Sequence, residues 1–104
     1  MSAAAPEQSI ILDLWTVPDG SQEEFMEALV GLFELVRKLD GFLEGQILTG
    51  VDSSLFVCYT RMRSAQDRDA ALIDPEVEAV RRAIGGIAHP KPHAYTLART
   101  FTPA

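Results

Sequence analysis

The side chains able to carry chemistry are few and scattered: one cysteine, Cys58; two histidines, His89 and His93; one tryptophan, Trp15; two tyrosines, Tyr59 and Tyr95. A cysteine acts as a nucleophile only beside a base that generates its thiolate, and no residue near Cys58 in sequence guarantees one. Buried, it would serve as a small apolar filler. His89 and His93 straddle Pro90 and Pro92, so they cannot share a helix face as a metal pair. Trp15, Tyr59 and Tyr95 combine a large apolar body with a polar tip, suited to stacking on a flat aromatic ligand or to filling a dimer interface. Asp13, set between Ile11 and Trp15, would either meet an arginine of a partner subunit or hold a raised pKa in a pocket. Arg61, Arg63 and Arg68 alternate with Asp67 and Asp69 as a solvated, salt-bridged surface does. There is no Gly-rich phosphate loop, Cys-x-x-Cys, His-Glu-x-x-His or Gly-x-Ser-x-Gly elbow.

The elements that must position these residues follow from periodicity and punctuation. Ile10 to Val17 alternates as a strand, with Ile10, Leu12, Leu14 and Thr16 on one face and Ile11, Asp13, Trp15 and Val17 on the other. Both faces are mostly apolar, which predicts cover on both. Pro18-Asp19-Gly20 breaks the strand, and Ser21 with Glu24 matches a capping box. Phe25, Leu29, Leu32, Val36 and Leu39 then form one helical stripe that stops at Asp40-Gly41. Met26, Val30 and Phe33 widen it as core packing. Strands are predicted over Phe42 to Leu48 and Leu55 to Met62, joined by a turn at Thr49 to Ser54; which face of the second of these points inward is left open by alternation alone. A short helix over Ser64 to Ile73 precedes Asp74-Pro75, a cap with proline at the first helical position, which opens a helix through Ile84 ending at Gly85-Gly86. Its stripe is Val77, Val80, Ile84 and Ile87. At about 100° per residue Arg81 lies roughly 60° from the stripe's centre and can lean over a pocket, whereas Arg82 points away. Ala88 to Pro92 reads as a constrained connection and His93 to Phe101 as the last strand.

Two β-α-β halves in 104 residues predict an α+β, ferredoxin-like split β-α-β sandwich with an antiparallel sheet. One sheet face would then be bare, which points to a homodimer. Residues 1–9 carry no apolar period and are expected to form a disordered tail, leaving 10–104 as a single domain. At 47% hydrophobic the chain can bury about two thirds of its unfolded surface. Nine basic against fifteen acidic residues give a net charge of −6, the wrong sign for neutralising phosphates, so neither nucleic acid nor an anionic membrane is an expected partner. A single cysteine forms no internal disulfide, the start lacks a signal-peptide pattern, and no run approaches the roughly 20 apolar residues of a membrane span. The expected compartment is the cytoplasm.

Val17-Pro18-Asp19-Gly20, a helix, Asp40-Gly41-Phe42-Leu43, Val57-Cys58-Tyr59 leading to Arg63-Ser64-Ala65, and Asp74-Pro75 before the Arg81 helix, in that order, resemble the antibiotic biosynthesis monooxygenase family from Ile10 to Phe101. The likeness is strongest to its aromatic-polyketide branch. The resemblance implies a dimeric α+β barrel and oxidation of an anthrone-type phenol by molecular oxygen with no metal, flavin or haem. Such a substrate supplies its own reactive phenolate, so the protein mainly deprotonates, desolvates and orients it. The family's third-strand asparagine falls at Cys58 and the tryptophan four residues on at Met62, replacements that keep neither the amide hydrogen bonds nor the indole N–H. Its second-strand histidine falls at Leu48 and a helix tyrosine near Arg68; the helix arginine is kept at Arg81. Haem degradation, which needs the lost residues, is disfavoured. The resemblance thus implies Arg81 as the catalytic residue and Trp15, Cys58, Tyr59, Met62 and His93 as substrate-binding. Polyketide cyclisation in the same pocket, and a non-catalytic binding or partner subunit of the same fold, are the alternatives.

Overall fold

A computed structural model describes residues 7–51 and 54–104, with 89–93 described in backbone only. The elements run β1 (Ser9–Thr16), α1 (Gln22–Val36), β2 (Phe42–Thr49), β3 (Leu55–Met62), α2 (Ala65–Leu72), α3 (Pro75–Ile84) and β4 (His89–Thr96). One sheet holds the strands in the order β2-β3-β1-β4. Each neighbouring pair is antiparallel, so β1 and β2 run the same way with β3 between them, and β3 and β4 run the same way with β1 between them. These are the two interleaved β-α-β halves of the ferredoxin-like fold.

Alternation sends Ser9, Ile11, Asp13 and Trp15 of β1 to the helix-covered face. Phe56, Cys58 and Met62 of β3 lie on the same side, which settles the facing of that strand and turns Tyr59 to the other. The core is built there. Trp15 meets Phe25 edge-on at 5.1 Å between ring centroids, and Phe25 meets Phe56 at 5.0 Å. Leu29 and Leu32 of α1 and Val77 and Ile84 of α3 close over them. Among the described residues no helix covers the opposite sheet face: Leu14 is 38% and Leu48 50% exposed, with Leu12, Val57 and Tyr59 half-buried beside them.

Local chemistry explains where the boundaries fall. Asp74 accepts hydrogen bonds from the amides of Glu76 and Val77, with Pro75 in the first turn, and Ser64 caps α2 by accepting from the Asp67 amide. The expected Ser21 capping box does not form. A turn closed by the Ser21 amide on the Pro18 carbonyl holds Ser21 at φ −105°, ψ 1°, away from the extended geometry from which a cap side chain reaches inward. Helix α1 ends at Val36 and not at Leu39 because the next turn tightens: the amides of Lys38 and Leu39 bond three residues back, to Leu35 and Val36. Strand β1 begins at Ser9, which is buried and paired with Met62 and Thr96; of the rest of the expected tail, residues 7–8 are exposed and outside any strand or helix, and residues 1–6 lie outside the described residues. The last strand is His89–Thr96 and not His93 to Phe101. Pro90 and Pro92 are accommodated because β4 is an edge strand and residues two apart turn the same backbone side, here lacking N–H, toward one edge. Pairing stops at Thr96 because its partner strand starts at Ser9.

Gly41, at φ +87°, lets the chain turn into β2 while the Asp67 carboxyl, held by Arg63 and Ser64, packs against it; a Cβ there would overlap that carboxyl. Gly41→Ala is expected to lower stability by about 1–3 kcal/mol, the usual cost of a left-handed non-glycine residue. Urea unfolding would measure it, and an unchanged midpoint would contradict this account of the turn.

Candidate active site

The helix-covered face of the sheet holds a small cavity. Asp13 of β1 and Cys58, Thr60 and Met62 of β3 form its floor; Leu32 and Phe33 of α1, Leu72 of α2 and Arg81 of α3 are among its walls. Its volume of about 30 Å³ accommodates one or two water-sized groups. Phe33 is a shared wall: it also lines an open groove of about 460 Å³ between α1 and β2, together with Phe42 and Ile47. The Phe33 ring rests on the backbone of Gly45, where a Cβ would overlap it.

One ion pair crosses the cavity. Arg81 Nη1 donates to Asp13 Oδ2 at 3.4 Å, joining two residues 68 positions apart. The Asp13 side chain is 7% exposed and that of Arg81 24%. Asp13 Oδ1 is buried with no hydrogen-bond partner among the described residues. Burial raises the Asp13 pKa above the ordinary carboxylate value, and the Arg81 charge and hydrogen bond lower it by less. The β1–β3 register sets Asp13 beside Cys58. Burial and then the Asp13 charge push the Cys58 thiol up to about 12. The Trp15 indole N–H, turned toward the sulfur without completing a hydrogen bond, and Arg81 act in the opposite direction and do not compensate. The arrangement offers one cation and one free carboxylate oxygen in apolar surroundings, with a thiol that stays protonated at neutral pH.

Arg81, Cys58 and Met62 come together at this cavity. Trp15 does not join them as a ligand platform; 1% exposed, it is a core residue packed on Phe25. Tyr59 lies on the opposite sheet face, because the alternation that turns Cys58 inward turns its neighbour outward. His93 pairs through its backbone with Leu12, and its side chain lies outside the described residues. Asp13 lies in a pocket that raises its pKa, one of the two environments expected for it; the arginine it meets is Arg81 of its own chain and not one of a partner subunit. Glu78 pairs at 2.7 Å with Arg82, leaving Arg81 to Asp13. Leu48 is exposed on the far face, and Arg68 bonds Ser9 and Asp69. Sequence periodicity absorbed Phe33 into helix packing and gave no stripe to the short helix that carries Leu72; nothing in their spacing marks them as cavity walls. Among the described residues no group of three or more His, Cys, Asp or Glu is arranged to hold a metal ion, and no helix is long and apolar enough to cross a membrane.

No family model matches the chain, and no curated protein sequence matches it. Solved structures do. SnoaB, a cofactor-independent oxygenase from Streptomyces nogalater, superposes with a TM-score of 0.87 at 16% identity, over 93% of this chain and 99% of that one. A monooxygenase from the gene ActVA-Orf6 of Streptomyces coelicolor, in complex with nanaomycin D, gives 0.81 at 22% identity over 94% of each chain. A candidate antibiotic biosynthesis monooxygenase from Deinococcus radiodurans gives 0.82 at 15% identity, over 92% of this chain and 98% of that one. The chain therefore has the α+β fold of the antibiotic biosynthesis monooxygenase structures.

With its pKa near 12, Cys58 holds a thiolate fraction of only about 10⁻⁵ at pH 7. Iodoacetamide at pH 8 is expected to leave the folded protein unlabelled and to alkylate Cys58 fully after unfolding in guanidinium, read by intact mass. Rapid labelling of the folded protein would contradict this environment.

Proposed function

We propose that the protein is a cofactor-independent monooxygenase of the antibiotic biosynthesis monooxygenase family, oxidising an aromatic polyketide-type phenol or anthrone in the cytoplasm. The observation that carries this reading is the Asp13–Arg81 pair, set in an apolar cavity on the helix side of a sheet whose fold is shared with a cofactor-independent oxygenase. For an anthrone methylene the balance is CH₂ plus O₂ giving C=O plus H₂O. Two C–H bonds break, one oxygen atom stays on carbon, and the other leaves as water with both hydrogens. The carbon supplies all four electrons, so no external reductant enters. Arg81 holds the oxyanion that makes the carbon reactive toward oxygen, and the apolar walls strip water from it.

The cavity, at about 30 Å³, is far below the roughly 300–1,000 Å³ of a typical ligand pocket. Substrate entry would swing the Phe33 ring off Gly45 and join the cavity to the groove between α1 and β2, whose 460 Å³ suits a fused aromatic ring system. The exposed apolar sheet face around Leu14, Leu48 and Val57 supports a homodimer built across it. A second reading, cyclisation of a polyketide chain, is favoured by Cys58 and Met62, which offer no strong hydrogen-bond donor to an oxygen intermediate.

Oxygen uptake by chelator-treated protein with anthrone, beside an anaerobic control followed by mass, tests the proposal. The expected result is uptake with a product that has gained one oxygen atom, falling by about 10²-fold or more in Arg81→Ala, a variant that also loses thermal stability at neutral pH because it leaves the buried Asp13 carboxylate without its cation. An anaerobic isomer or dehydration product from a polyketide-type substrate would favour the cyclase. Binding without turnover would leave a non-catalytic subunit.

A further inference from the structure

We infer that Asp13 is the proton acceptor of this site: its unpaired Oδ1 takes a proton from a neutral carbon or phenol acid while Arg81 receives the resulting oxyanion. The inference rests on the reading of the cavity as a catalytic site, though not on oxygen being the second reactant. Three observations converge on it. Asp13 Oδ1 is buried at the cavity floor and spends no hydrogen bond on the fold, whereas Oδ2 is held by Arg81. The carboxylate stands on β1, paired on both sides by β3 and β4, so its backbone is fixed. No other described side chain lining the cavity can accept a proton at neutral pH: Cys58 is already protonated, Thr60 is a neutral hydroxyl, and Tyr59 lies across the sheet.

Charge accounting also fixes the class of substrate. Before transfer the cavity holds one carboxylate and one guanidinium; afterwards it holds a neutral carboxylic acid, the guanidinium and a substrate oxyanion. The site stays neutral throughout, so proton transfer moves a negative charge toward Arg81 without adding a charge to an apolar interior. An anionic substrate would break that neutrality. The favoured ligand is uncharged in water and weakly acidic through conjugation of a C–H or O–H to a carbonyl. Among the described side chains, the charged and titratable groups facing Asp13 are Arg81 from α3 and Cys58 from β3; α1 and α2 present Leu32, Phe33, Val36, Ala71 and Leu72, and from β4 Pro92 pairs with Asp13 through its backbone. Burial that raises the carboxyl's affinity for a proton brings it closer to such an acid, in the direction that favours transfer.

The test is anaerobic exchange of the anthrone methylene hydrogens into D₂O, followed by proton NMR, with oxygen uptake measured in parallel on the same preparations. Wild-type protein is expected to accelerate exchange over buffer, and Asp13→Asn, which keeps the side-chain shape, to lose about 10²-fold or more of that rate. Oxygen uptake by Asp13→Asn, counted above the uncatalysed oxidation in buffer at the same pH, should recover as the pH is raised enough to ionise anthrone in solution, a rescue that a merely structural role would not give. Exchange by wild type without oxygen uptake would sustain Asp13 and refute the oxygenase reading. Wild-type exchange no faster than buffer, Asp13→Asn exchange at the wild-type rate, or, where wild type takes up oxygen, no alkaline rescue of the variant would each overturn the inference. Should the variant fail to fold, the wild-type pH profile decides: exchange must fall in acid with one inflection above the ordinary carboxylate range, and a flat profile overturns it.

Discussion

A carboxylate buried on the central strand of a sheet, reached by one guanidinium from a helix, is the constraint around which this structure is arranged. Asp13 would be stable as an anion in water; on β1 it is stripped of water on nearly every side. Arg81 returns part of that loss and not all of it, which is why the carboxyl's pKa rises despite the cation. Ionisation of Asp13 therefore works against folding. Below about pH 3.8, its unperturbed value, the carboxyl is neutral in folded and unfolded chains alike and costs nothing. As pH rises through that value the unfolded chain ionises first, and the fold loses stability until the native carboxyl ionises as well. A residue kept at such a cost, with one oxygen unsatisfied, is the kind of local conflict that marks a working site.

The fold meets this cost through the elements on either side. The T-shaped chain of Trp15, Phe25 and Phe56 fixes β1 and β3 to α1 two residue pairs from Asp13 and Cys58, at the next pair on the same sheet face. At the other end, α3 starts at a doubly used Asp74 cap and Pro75, which sets the helix phase so that Val77 and Ile84 are buried and Arg81 leans between them toward the sheet. Arg82, one residue on, is turned to solvent and pairs with Glu78. Shifting that phase by a single residue would exchange the two arginines. Apolar walls then complete the site: they leave the ion pair unscreened, and the Phe33 ring divides the cavity from the larger groove outside.

Much of this was legible in the chain, for physical reasons that differ by residue. The 3.6-residue period of Val77, Val80, Ile84 and Ile87 places Arg81 near the buried side and Arg82 away from it, and both arginines lie where that period puts them. The two interleaved β-α-β halves follow from turn residues and periods alone. What was not legible depends on contacts between distant segments. The partner of Asp13 is 68 residues away, and only the packing of α3 on the sheet names it. The facing of β3, and with it the separation of Tyr59 from Cys58, depends on register with β1. The last strand starts at His89 because an edge position tolerates Pro90 and Pro92, a fact invisible until the strand order is known. Ser21 shows the reverse failure: the right residue types for a cap, held by a preceding turn in a conformation that cannot make it.

The central claim is that Asp13 is buried, held by Arg81 through one oxygen, and disfavoured as an anion. Its carboxyl carbon can be followed directly by NMR titration of protein labelled with ¹³C at aspartate, assigned with Asp13→Asn. The account predicts a midpoint above the 3.8 of a free carboxyl, moving higher still in Arg81→Ala. A midpoint at or below 3.8, or one indifferent to Arg81, would contradict it.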